Sequence, residues 1–137
     1  MSIFEPSSSA WTSRMQSLLR IMAGLRFIFA GTMKVFNYPP MTHDQPPVVL
    51  LSQIGIGGLM EVIGGALFTI GLFTRPVSFV LAGEMAVAYF QFHAPAAFLP
   101  TVNQGVPAVL YCFIFLFFML AGAGVWSVDA TIARRRT

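Results

Sequence analysis

Four long apolar runs alternate with short polar stretches rich in proline and glycine. They cover residues 18–36, 48–73, 76–92 and 106–126. A helix crosses the hydrocarbon core of a bilayer with about 20 such residues, whereas a strand of a membrane barrel needs roughly 9–11 in strict alternation. These runs are too long and too uniformly apolar for such strands, so each is predicted to be a helix. The punctuation agrees. Asn37-Tyr38-Pro39-Pro40 closes the first run and Gln45-Pro46-Pro47 precedes the second. Gly71-Leu72-Phe73-Thr74-Arg75-Pro76 reads as a tight reversal, with proline in the opening turn of the third helix. Residues 94–105, with Pro95, Pro100, Asn103 and Gly105, read as a loop, and Pro107 fits the first turn of the fourth helix.

The expectation is an all-α membrane protein, a bundle of four transmembrane helices. Residues 1–16 form a cytoplasmic N-terminal tail, 17–130 the transmembrane domain and 131–137 a basic cytoplasmic C-terminal tail. Composition makes the bilayer the expected solvent. Of 137 residues 56% are hydrophobic and only 9% charged, with mean hydropathy +0.75, against about 25% charged in a soluble domain. With four spans both termini share a side. Arg14, Arg75 and Arg134-Arg135-Arg136 then fall on that side, while loops 37–47 and 93–105 hold no lysine or arginine. The positive-inside rule places both termini in the cytoplasm, with Trp126 and Tyr38 as interfacial anchors. Residues 1–13 lack a basic n-region, so the first span is expected to act as its own insertion signal. The net charge of +3 does not point to nucleic acid, because the basic residues are scattered or terminal. Cys112 stands alone, and His43 and His93 have no second pair, so no metal site is expected.

Candidate chemistry lies in the charges inside the runs. Arg26, Lys34, Glu61 and Glu84 are expected to form a buried polar network, because a charge at the bilayer centre costs roughly 2.5–3.5 kcal/mol even on the lenient insertion scales. Counted from the inner ends of the runs, Arg26, Glu61 and Glu84 come out at about 12–14 Å, near mid-membrane, with Lys34 closer to the outer face. Glu61 shares a helix face with Gly57, Gly58, Gly64 and Gly65, which points it into a close helix contact. Arg20, Ala23, Phe27, Gly31 and Lys34 form one stripe, and Arg26 lies off it by about a quarter turn or more. Three readings fit these charges: an ion-pair network that only pins helices together, a proton or ligand site, or snorkelling and interfacial placement of individual residues. No phosphate loop, flavin fingerprint, haem pair or serine triad is present, so no intrinsic cofactor and no catalytic residue is assigned.

The chain resembles the DoxX family of small four-helix bacterial inner-membrane proteins. The resemblance covers about residues 19–130. It rests on Leu19-Arg20-Ile21 and Gly31-Thr32-Met33-Lys34, on Glu61-Val62-Ile63-Gly64-Gly65, and on the turn from Gly71 to Pro76. It continues through Glu84-Met85-Ala86-Val87-Ala88-Tyr89 with His93 and Pro95, then Asn103, Leu110-Tyr111-Cys112 and the stretch from Gly122 to Asp129. The chain departs from the family pattern at Phe29-Ala30, where many relatives carry a Glu-His pair, at the charged Arg26, and at Asn103-Gln104-Gly105-Val106, which lacks an acid.

The resemblance implies a multi-pass location in a bacterial inner membrane and a redox-linked role near the quinone pool. The expected function is a quinone-linked accessory or anchor subunit of an oxidoreductase system, itself non-catalytic, with a redox partner protein. On this reading Lys34, Gln91 and His93 offer hydrogen bonds to quinone, and Glu61 and Glu84 handle its protons. The alternatives are a structural scaffold without chemistry and a homo-oligomeric transporter of small solutes or protons.

Overall fold

The computed structural model describes residues 9–40 and 46–137. The first eight residues, and residues 41–45 with His43 and Asp44, lie outside the described residues. The described chain is helical, without strands: α1 (Ser9–Phe36), α2 (Gln53–Ile70), α3 (Thr74–Ala88) continued by a π turn (Tyr89–His93), a short α4 (Pro100–Asn103), α5 (Val106–Ala121) and α6 (Val128–Arg135).

Several boundaries differ from the sequence expectation, each for a local reason. The expected N-terminal tail is helical from Ser9 onward, since residues 9–17 contain neither proline nor glycine. The extension is held from across the fold. Gln16 Nε2 donates to Gly122 O at 2.7 Å, and the Trp126 amide donates to Ser17 Oγ at 3.1 Å. α2 starts later than its apolar run, because Pro46 and Pro47 favour extended backbone and Ser52 supplies the cap, accepting from the Gly55 amide at 3.1 Å. α2 ends at Gly71, φ 72°. There the Gly71 amide donates to Phe68 O and the Leu72 amide to Leu67 O, the paired bonds of a Schellman stop. The expected basic tail is mostly α6, capped by Ser127 Oγ on the Ala130 amide at 3.1 Å, with Asp129 in its first turn and Arg134 and Arg135 in its last.

α1 and α2 run antiparallel with their backbones almost in contact. A Cβ on Gly31 would stand 2.6 Å from Gly58 O, and one on Gly65 3.0 Å from Ile28. Small residues at these positions permit that approach. α3 packs chiefly on α5, and α2 meets α3 over a shorter stretch, where Gly64 faces Leu81. The core joins the two pairs through edge-to-face rings. Phe68 contacts Phe115 and Phe118 at 5.0 Å between centroids, and Phe27 contacts Phe115 at 5.0 Å. Phe115 and Phe118 are therefore core, whereas Phe113 and Phe117 on the same helix face outward.

The exterior is apolar. Met22, Ile63, Phe79 and Leu120 are all exposed, as expected where lipid is the solvent. Among the described residues α2 is the one helix long and apolar enough by itself to cross a membrane. α5 is apolar but spans 16 residues, and α1 carries Arg14, Arg20, Arg26 and Lys34.

The end of the bundle where α2 turns into α3 is tied by two polar side chains. Arg20 is fully buried. Its Nε donates to Ala123 O at 2.8 Å and its Nη1 to Phe68 O at 2.9 Å, with further bonds to Thr69 O and Trp126 O. It thus satisfies carbonyls at the C-terminus of α2, where the helix dipole is negative. Asp129 accepts from the Phe73 and Thr74 amides, both at 2.9 Å, and so caps α3 from α6.

Candidate functional site

α2 and α3 enclose a cleft of about 710 Å³ toward the end of the bundle away from Arg20. Its polar lining is Lys34 from α1, Gln53 and Glu61 from α2, Glu84 from α3 and His93 from the π turn. The rest is apolar, including Ile54, Met60, Val87 and Phe92. The helix contacts place these groups. Gly58 lies against Lys34 and Val35, which brings the lysine beside α2 one turn from Glu61. Lys34 Nζ reaches Glu61 Oε1 at 2.6 Å, the one ion pair among the described residues. Glu61 is 2% exposed and the lysine side chain 38%, so the carboxylate is the deeply buried partner.

Glu84 is different. It forms neither ion pair nor hydrogen bond with a described residue, and its Oε2 is buried without a partner, as is Glu61 Oε2. Its Oε1 lies 3.3 Å from where a Cβ on Gly57 would stand, so the glycine leaves it room. Each orphaned buried oxygen carries a cost of about 1–3 kcal/mol unless a guest or water satisfies it.

One end of the cleft is lined by Phe92 and His93 of the π turn. A π turn adds one residue to the helical ladder and is frequent at functional sites. Here the Asn103 side chain donates to Ala97 O at 2.6 Å and accepts from the Gly105 amide at 2.7 Å. Asn103 O lies 3.1 Å from His93 Nδ1, and Tyr89 stacks on the His93 ring at 6.4 Å. His93 is thereby held at the cleft edge.

Of the four residues expected to form a network, the structure brings together Lys34, Glu61 and Glu84. Arg26 is not among them: it is exposed and forms no ion pair with a described residue. The reason is register. Gly24 faces Thr69 and Gly31 faces Val62, so Arg26 lies level with the last turns of α2, not with Glu61. Lys34, expected nearer the outer face, is level with the glutamates. The eight residues between Arg26 and Lys34 correspond to about 12 Å along the helix. Of the three expected ligand contacts, Lys34 and His93 line the cleft. Gln91 is exposed and reaches it only by accepting a hydrogen bond from Gln53 Nε2. Gln53 was missed from the sequence, where only the charges within the second run drew attention. Arg20 was missed too, although its place on the stripe with Phe27 and Gly31 marked it as inward-facing. No group of three or more metal-ligating side chains occurs among the described residues.

The fold and cleft are those of a small helical bundle with an apolar exterior and a charged interior. The chain belongs to the DoxX family, a family of membrane proteins, whose model matches residues 15–94. That stretch contains every residue that lines the cleft. The chain is also 36% identical over 116 residues to an uncharacterized protein of Haemophilus influenzae, an alignment covering 82% of this chain and 87% of the relative. No solved structure is significantly similar to it.

Proposed function

We propose that this DoxX protein spans a bacterial inner membrane four times, with both termini cytoplasmic, and that its cleft holds the head group of a quinone-class lipid for a partner oxidoreductase. The observation that supports this is the lining. Lys34, Gln53 and His93 carry N–H donors suited to carbonyl oxygens, the walls between them are apolar, and an unpaired carboxyl from Glu84 stands beside them. Interconversion of quinone and hydroquinone moves two electrons and two protons. In this reading Glu84 exchanges the protons, Lys34 and His93 orient the ring, and the partner protein handles the electrons.

The test is quinone titration of the purified protein in lipid nanodiscs. Saturable binding that weakens at least about tenfold, or about 1.4 kcal/mol, in Lys34→Met and Glu84→Gln supports the reading. Absence of saturable binding, or binding indifferent to both substitutions, removes it and leaves a scaffold role, in which the charges only specify packing.

A further inference from the structure

The charges in the cleft do not balance. Lys34 offsets one carboxylate, Glu61, through a 2.6 Å contact. Glu84 forms no ion pair with a described residue. The titratable and charged groups on the surrounding elements are Arg14, Arg20, Arg26 and Lys34 on α1, Glu61 on α2, Arg75 on α3, Tyr89 and His93 on the π turn, and Tyr111 and Cys112 on α5. Of these Lys34 and His93 line the cleft, and Lys34 is the one lysine or arginine there; Arg26 is exposed, lies about two turns from Lys34 along α1, and exerts a weaker attraction on Glu61 from outside the lining. A net negative charge in an apolar cleft is costly, so the site gains from one positive guest. A second observation points the same way. Glu61 is 2% exposed, lines the cleft, and leaves its Oε2 without a partner.

We infer that the cleft between α2 and α3 is a binding site for a monovalent organic cation with an apolar body, taken up in exchange for a proton. The proton neutralises the surplus carboxyl when the cleft is empty, and the cation does so when it is filled. A metal ion does not suit the site, because two carboxyls and no further oxygen cluster leave it under-coordinated. An organic cation needs no such shell. Ile54, Ile56, Met60, Val87 and Phe92 offer its body the contacts that the carboxyls do not. The apolar crevice of about 520 Å³ lined by Ile63, Leu67, Val77 and Val80 shares Ile56 and Met60 with the cleft and extends those contacts inward. This inference depends only on the charge balance of the cleft and stands whether or not a quinone binds.

The probe is tetraphenylphosphonium, a permanent cation that carries no proton of its own. Binding to the full chain in zwitterionic nanodiscs is measured by equilibrium dialysis against empty discs, and proton release by an indicator dye in unbuffered medium. We expect saturable binding, release of about one proton per cation, and an affinity that falls up to about tenfold for each unit the pH is lowered, as simple competition requires. Neutral triphenylphosphine oxide should release no proton. Glu84→Gln should lose the proton release and at least tenfold in affinity, and Glu84→Asp should keep both. Binding of the cation without proton release, pH-independent affinity in the unaltered protein, or no saturable binding at all overturns the inference. Since the pH profile is read on the unaltered chain, a misfolded variant does not shelter it.

Discussion

Replacing Arg20 by methionine tests whether the α2–α3 end of the bundle is held by one side chain. The guanidinium is fully buried and donates to four carbonyls, those of Phe68, Thr69, Ala123 and Trp126. A hydrogen bond to a charged group contributes about 1.5–3 kcal/mol, and a buried acceptor stripped of its donor costs about 1–3. Adding four such terms overshoots, because they share one group and removing the charge also ends its desolvation penalty. Breaking a buried charged network by removing one partner costs about 3–5 kcal/mol. The expected loss is therefore about 4 kcal/mol, which for a chain of this size lowers Tm by roughly 15 °C. Thermal unfolding in mild detergent, followed by far-UV circular dichroism, reads this directly. Arg20→Lys retains the charge near the α2 C-terminus but loses the planar fork, and should cost about 2 kcal/mol. A methionine variant within about 0.5 kcal/mol of the unaltered protein would refute the clamp, since surface substitutions do no more than that.

The Lys34–Glu61 pair should respond asymmetrically. Lys34→Met strands a carboxylate that is 2% exposed and should cost about 3 kcal/mol, whereas Glu61→Gln frees a lysine that is 38% exposed and should cost about 1. The double variant should recover most of the larger loss, and equal single effects would count against the burial argument. Gly31→Ala should destabilise by about 2 kcal/mol, because its Cβ would stand 2.6 Å from Gly58 O, a backbone atom. Gly83→Ala has nothing within 4 Å of the added carbon and should stabilise by about 0.5–1 kcal/mol, read in the same melt. Reporter fusions at Thr101 and Thr137 should report opposite sides of the membrane, with Thr137 cytoplasmic, and an outward Thr137 sinks the four-span topology.

The sequence by itself located the long helices, because hydrophobic runs and proline–glycine breaks act over a few residues and need no partner. It placed Glu61 inside for the same reason, through the glycines three and four positions away on its own helix. The tertiary structure decided depth and partnership. Arg26 seemed level with the glutamates when each run was counted from its own end, yet depth is set by how α1 docks on α2, and Gly24, Gly31, Gly58 and Gly65 fix that register. Arg20 looked like one more member of a stripe, because its acceptors come from residues 48 to 106 positions away. The cleft was equally out of reach. Its charges were legible one by one, but only packing shows that Lys34 pairs with Glu61 and not with Glu84, since an ion pair depends on side chains that separate helices bring within a few ångströms of each other.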